Sequence, residues 1–260
     1  MITKIELDNL VKKYETINFI KDDPIQFAHR GKDKKEIELY GFIASLFAYG
    51  NRKLFIKKLE EIFAKSEGDL IGFIKNGDFS SLKGTEYRFS KDNDIIPIFE
   101  ILSRLYNESR GLEELFKYAF TTSYATQHSQ DKMQLALQIV VDYFYSKAPV
   151  TAKQGFYHMI PNPQNGGAMK RMNMFLRWMV RRGPVDLGIW NFIKASELLI
   201  PLDVHVARVS RNMGLLTRKS NDFKAVIELT NNLKTFYPND PVKYDFAMFG
   251  FGIMELENMK

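Results

Sequence analysis

Apolar residues in this chain recur three and four positions apart, the spacing that turns one face of an α-helix toward a core. Ile5, Leu7, Leu10, Val11 and Tyr14 mark such a face within residues 1–20. Residues 21–35 are polar and carry Pro24 and Gly31, so a connector is expected there. The apolar face returns in Ile37, Tyr40, Ile43, Ala44 and Phe47, breaks at Gly50-Asn51, and resumes over 53–64. Residues 76–94 are rich in Gly, Ser, Asp and Lys, contain Tyr87-Arg88-Phe89, and predict a loop. Helices are expected over 95–107, 112–120, 132–146 and 152–159, the last set off by Pro149 and Thr151. Two more, 222–237 and 242–257, flank Pro238-Asn239-Asp240-Pro241. Period-two alternation is almost absent and no segment repeats. The pattern predicts an all-α fold.

The stretch 160–216 carries chemistry as well as periodicity. It reads IPNPQNGGAMKRMNMFLRWMVRR, then a connection holding Pro184, Gly188 and Trp190, then IPLDVHVARVSRNMGLL. Gly166 and Gly167 would let backbone amides approach a phosphate with no Cβ in the way, and a helix starting near Ala168 would add its positive dipole end. A flexible loop is the other reading, since Asn162, Pro163, Gln164 and Asn165 all form turns. In that helix Met169, Met172, Leu176 and Met179 would line an apolar face, with Lys170, Asn173, Arg177 and Arg181 as the neighbouring polar stripe. Lys170 is then either a solvated surface lysine or a nucleophilic amine placed at the bend. Lys194 competes for that role and lies nearer Asp203 in sequence, but it follows Trp190-Asn191-Phe192-Ile193 with no glycine turn. Asp203 precedes the helical pattern Val206, Val209 and Met213, which suits a plain N-cap. The two roles coexist, because a capping carboxylate can still face a groove and stabilise positive charge developing on a sugar.

The segment Pro201-Leu202-Asp203-Val204-His205-Val206-Ala207-Arg208-Val209 resembles the P-V-D-x-H-x-x-R-V signature of the helix-hairpin-helix DNA glycosylase superfamily, whose Asp is catalytic. Residues 160–170 resemble its hairpin, in which a Leu-Pro start and two glycines precede the lyase lysine; here extra residues separate Pro161 from Gly166. The connection from Lys170 to Asp203 is longer than in endonuclease III and is similar to the archaeal 8-oxoguanine branch. The chain thus looks like a bacterial branch of the superfamily, nearest in motif to 8-oxoguanine DNA glycosylase and endonuclease III.

The resemblance implies a two-lobed, all-helical glycosylase fold, with a helical barrel over 35–211 carrying the hairpin and a second lobe from 1–34 plus 212–260. It implies a base-excision enzyme with glycosylase and AP-lyase activity, acting on a flipped base, with an oxidised purine preferred because Val204 and the long connection resemble those branches. Lys170 and Asp203 would be catalytic. Asn51, Asn165, Gly166, Gly167, Arg171, His205 and Arg208 would contact DNA, Asn51 as a wedge where the base leaves the stack, although a helix C-cap at Gly50 or Asn51 explains that position equally. Arg177, Arg181, Arg182 and Arg211 could add phosphate contacts, and Trp190, Asp245 and Phe246 are candidates to wall the base pocket. The partner is double-stranded DNA with a damaged base or an abasic site. No cofactor is required.

Composition narrows this. The chain has no cysteine, which excludes disulfides, thiolate zinc sites and an iron–sulfur cluster, so the fold is expected without that cluster. Histidines 29, 128, 158 and 205 show no metal-ligand spacing, so no metal is expected. The net charge of +6 is compatible with a polyanion but is too modest to argue for one alone. No apolar run approaches membrane-spanning length and no signal-peptide layout opens the chain, so a cytoplasmic monomer is expected, with no membrane partner. Two alternatives remain: a DNA-binding module that keeps the scaffold without catalysis, and a helical scaffold for protein partners.

Overall fold

The structure, a computed structural model, describes residues 2–108, 111–125 and 132–254. His128 and the end expected for the last helix, 255–257, lie outside the described residues. Among the described residues all regular structure is helical, apart from isolated bridges at Tyr87–Ser90, Gly167–Asp222 and Arg182–Leu187, so the chain is all-α as its periodicity predicts. The chain divides into two compact units, Gln26–Asn162 and Met1–Ile25 with Pro163–Lys260.

The unit Gln26–Asn162 is built around α4 (Lys34–Phe47), which is buried continuously from Glu38 to Phe47. Asp33 starts it by accepting from the Glu36 N–H at 2.9 Å. Around it lie α3 (Ile25–Ala28), α5 (Arg52–Ala64), α6 (Leu70–Asn76), α7 (Asp92–Asn107), α8 (Gly111–Tyr124), α9 (Lys132–Lys147) and α10 (Gln154–Met159). Patterning did not signal α6, although its punctuation is local. Asp69 accepts from the Gly72 N–H at 2.8 Å, and Gly77, at φ 75°, ends the helix in the left-handed region. Helix α7 starts earlier than the expected 95 because Asp94 folds back onto the Lys91 N–H at 3.0 Å. The same carboxylate accepts from the Phe156 N–H at 3.1 Å, which fixes the start of α10 on α7.

Glu38 shows how this unit closes. It is 2% exposed, and it accepts from the Tyr106 hydroxyl at 2.7 Å and from the Leu112 and Glu113 N–H groups at 3.2 and 3.0 Å. A carboxylate of α4 therefore caps the amino end of α8. Replacing Glu38 with alanine strands a buried hydroxyl and two amides, so urea unfolding is expected to show a loss of about 3 kcal/mol or more, against roughly half that for glutamine.

The unit Met1–Ile25 with Pro163–Lys260 contains α1 (Lys4–Tyr14), α2 (Ile17–Ile20), α11 (Lys170–Val180), α12 (Val204–Asn212), α13 (Phe223–Phe236) and α14 (Asp245–Met254). The single helix expected over 1–20 is instead two, since Glu15 leaves helical geometry at ψ 74° and its carboxylate turns to Arg181. Helix α14 packs on α1 and α12. The lobes expected at 35–211 and 1–34 plus 212–260 place their boundaries differently from these units, in which 163–211 groups with the chain ends. Within this unit Arg177 of α11 and Arg181 just after it bind acids supplied by Glu15, Asp240 and Asp245.

Candidate functional site

The diglycine bend is open and pinned on one side. Pro163–Asn165 forms a 3₁₀ turn, and the Gly166 N–H donates to the Pro163 carbonyl at 3.1 Å, so that amide is committed to the turn. Gly166 sits at φ 75°, where only glycine is relaxed. A Cβ at Gly166 or Gly167 would meet nothing within 4 Å, which leaves the backbone approachable, and Asn165 and Gly167 are exposed. The Gly166 carbonyl accepts from the Phe223 N–H at 2.8 Å, and Gly167 bridges Asp222.

Met169 follows in the left-handed region at φ 50°, buried at 3%, a conformation that costs a non-glycine residue about 1 kcal/mol or more. It delays α11 to Lys170, two residues past the expected start. Met169 supplies no side-chain cap, and the first intrahelical bond runs from the Asn173 N–H to the Met169 carbonyl at 3.0 Å.

Lys170 and Asp203 meet. Their Nζ and Oδ2 atoms are 3.7 Å apart, with side chains 29% and 13% exposed, so the pair is neither sealed nor fully solvated. Asp203 divides its two oxygens: Oδ1 accepts from the His205 and Val206 N–H groups, both at 2.9 Å, as the N-cap of α12, while Oδ2 faces the amine. Capping fixes the carboxylate and leaves one oxygen for chemistry. Lys194, by contrast, is exposed at the start of a 3₁₀ turn, its N–H bonded to Glu197 at 3.0 Å. His205 contributes its backbone to the cap, whereas its ring lies edge-on to Phe249 of α14 at 6.1 Å. Val204, next to Asp203 in the chain, is an apolar side chain 67% exposed.

Behind the pair, the polar stripe of α11 is buried. Every residue from Arg171 to Val180 is buried, and Arg177 and Arg181 are 4% and 7% exposed. The Nε of Arg177 donates to Asp186 at 3.1 Å and its Nη1 to Asp245. Arg181 binds Asp186 at 2.9 Å, Asp240 at 2.8 Å and Glu15 at 3.1 Å. Burial alone would lower the Arg177 pKa, but Asp186 and Asp245 more than offset it and hold the guanidinium charged. Neither arginine is therefore a phosphate contact.

The three candidates for a base pocket are also packed inside. Trp190, 2% exposed, stands edge-on to Phe175 at 5.2 Å and tilted on Phe192 at 5.3 Å. Phe246, 4% exposed, packs on Phe19 at 4.8 Å with the Arg177 guanidinium over its face. Asp245 is salt-bridged as above. None offers a ring face or an edge to a base, because the core has already used them.

Burial raises the Asp245 carboxyl to about 7, against Arg177, which lowers it, and with the Asp203 charge raising it further. Between the ordinary 3.8 and about 7 the folded chain holds more protons than the unfolded one, so this residue's contribution falls as pH rises through that window. Unfolding free energies at pH 4.5 and 7.5 are accordingly expected to show Asp245→Asn losing less against wild type at the higher pH.

In the other unit, Asn51 is exposed and is the N-cap of α5 rather than the C-cap of the preceding helix, accepting from the Leu54 N–H at 3.3 Å. A neighbouring feature carried no signal beyond a loop composition. Tyr87 and Ser90 close a tight turn by paired bonds of 2.8 and 3.0 Å, with Arg88 left-handed at φ 56°. The turn presents Phe89, 50% exposed, against His158 at 4.5 Å and Tyr49 at 5.9 Å. The Arg88 guanidinium lies against Gly50, next to Asn51. Among the remaining DNA-contact candidates, Arg171 is 8% exposed, and Arg208 donates to the Gly252 carbonyl of α14 at 2.9 Å.

A family model described as "Protein of unknown function (DUF2400)" matches residues 23–254. No curated protein and no solved structure matches the chain.

Proposed function

The chain belongs to the DUF2400 family, and from the Lys170–Asp203 pair we propose that it is a base-excision DNA glycosylase with AP-lyase activity. One observation carries the proposal: an amine and a carboxylate from distant chain positions stand 3.7 Å apart, just after an approachable diglycine bend and at the start of a helix. That combination suits a phosphodiester on one side and a sugar carbon on the other.

In this mechanism the Lys170 ammonium first gives a proton to water, and the amine then attacks the anomeric carbon of a nucleotide turned out of the duplex. The glycosidic bond breaks, and the base departs with the bonding electrons and takes up a proton. Asp203 Oδ2 stabilises the positive charge spread over the sugar and takes the proton the new amine must lose. Ring opening gives a Schiff base; loss of a sugar C2′ proton then expels the 3′-phosphate by β-elimination. The 3.7 Å separation is longer than a hydrogen bond and would shorten as substrate seats. A two-lobed helix-hairpin-helix architecture and an oxidised-purine substrate are part of the same proposal. Asn165, Gly167 and exposed Arg182 are the backbone contacts it favours, with Gly166, whose amide is used in the turn, shaping the bend. Asn51, with the Arg88-Phe89 turn beside it, is the place for a side chain to enter the base stack.

The test is a panel of duplexes, each bearing one damaged base or an abasic site, scored for base release, strand cleavage and salt-dependent affinity. Release or cleavage on at least one lesion is expected. Salt-sensitive binding with no chemistry on any lesion would make the chain a DNA-binding module, and no salt-sensitive binding would leave only a helical scaffold.

A further inference from the structure

Arg211, in the last turn of α12, is spent on main-chain oxygens. Its Nε donates to the Arg218 carbonyl at 2.9 Å; its Nη2 donates to the Arg218 and Lys219 carbonyls at 2.7 and 2.8 Å, reaches the Ser220 carbonyl at 3.5 Å, and donates to the Asn221 side-chain oxygen at 2.7 Å. A guanidinium presents its N–H groups in a planar fork, and here the fork is surrounded by the oxygens of one short segment.

The segment it holds leads straight to the diglycine bend. Arg218 binds Asp222 at 2.7 and 2.5 Å, Asp222 caps α13 through the Ala225 N–H at 3.0 Å, and Thr217 binds Glu228 at 2.7 Å. Asp222 bridges Gly167, and the Phe223 N–H donates to the Gly166 carbonyl at 2.8 Å. A continuous line of hydrogen bonds thus runs from Arg211 through 218–221 and 222–223 to Gly166-Gly167. Glycine at φ 75° has many alternative conformations, and no side-chain packing restrains these two residues, since even a Cβ would meet nothing within 4 Å. The Gly166 N–H bond to the Pro163 carbonyl holds the bend from one side, and the strap holds it from the other.

We propose that Arg211 is a positioning residue which sets the diglycine bend, and with it the approach to Lys170, by holding the 218–223 strap rather than by touching a ligand. Its consequence for DNA affinity rests on the function proposed above; its consequence for the bend does not. An ammonium in its place would meet fewer of the oxygens, because it lacks the planar fork.

The experiment compares wild type, Arg211→Ala and Arg211→Lys in the full chain by amide hydrogen exchange of peptides covering 163–170 and 217–224, with and without millimolar guanidinium ion. Expected are exchange rates raised about tenfold in both segments for Arg211→Ala, a smaller rise for Arg211→Lys, and recovery of both segments when guanidinium refills the vacated fork of Arg211→Ala. If Arg211→Ala does not fold, the lysine variant is read by the same comparison. Faster exchange confined to 217–224, with 163–170 unchanged, overturns the proposal. In parallel, affinity for abasic-site duplex is expected to fall about tenfold while the single-turnover rate at saturating DNA stays within about threefold of wild type. Should wild type bind no DNA, the exchange result still decides the role of Arg211, and only the repair reading fails.

Discussion

Replacing Lys170 with alanine is expected to abolish the borohydride-trapped adduct with abasic-site DNA and to cut strand cleavage by three orders of magnitude or more. The amine is the group that forms the covalent bond, and no neighbouring lysine takes its geometry: Lys194 lies on an exposed 3₁₀ turn, while Lys170 Nζ stands 3.7 Å from Asp203. Base release is expected to fall less than cleavage, because Asp203 would remain able to orient a water. Since the side chain is 29% exposed and pairs with Asp203 across a partly solvated gap, thermal stability should change by no more than about 1 kcal/mol. Lys194→Ala serves as the control and should trap normally. Equal adduct yields from Lys170→Ala and wild type would remove Lys170 from the chemistry.

Replacing Asp203 with asparagine separates its two jobs. The amide oxygen can still accept from the His205 and Val206 N–H groups, and asparagine caps a helix as well as aspartate, so stability should hold within about 0.5 kcal/mol. The negative charge at Oδ2 is lost, and single-turnover base release should fall by roughly 10²–10⁴-fold. Alanine at the same position removes the cap as well and should cost about 1 kcal/mol on top of the rate. Thermal melts beside single-turnover kinetics read both effects at once. An asparagine variant with wild-type rate would mean that Asp203 is a cap and nothing more.

What could be read in the sequence was mainly local. Helix α12 announces itself through Asp203 followed by Val206 and Val209, and α4 through its apolar run, because capping and periodicity are decided within a few residues. The punctuation of α6, Asp69 and Gly77, was equally local and went unread amid polar neighbours. The approach of Lys170 to Asp203 could not come from periodicity; it followed from resemblance, because two separate turns have to be folded together before the atoms meet. In the sequence Arg177 and Arg181 belong to a polar stripe and are candidate phosphate contacts. Their burial depends on Glu15, Asp186, Asp240 and Asp245, which are scattered along the chain and which a helical pattern does not connect to α11. Trp190 and Phe246 carry aromatic rings that could stack on a base, but composition does not say which rings the core consumes. Arg211 was hardest to foresee, since its acceptors are mostly backbone carbonyls and leave no trace in side-chain type.

The proposed chemistry depends on a covalent bond between the Lys170 amine and a sugar carbon of DNA. Wild-type chain should be incubated with an abasic-site duplex, reduced with borohydride, digested, and mapped peptide by peptide for the residue that carries the nucleotide. The account predicts that mass on Lys170. A nucleotide mapped to Lys194 or to any other lysine, or no adduct at all, would contradict it.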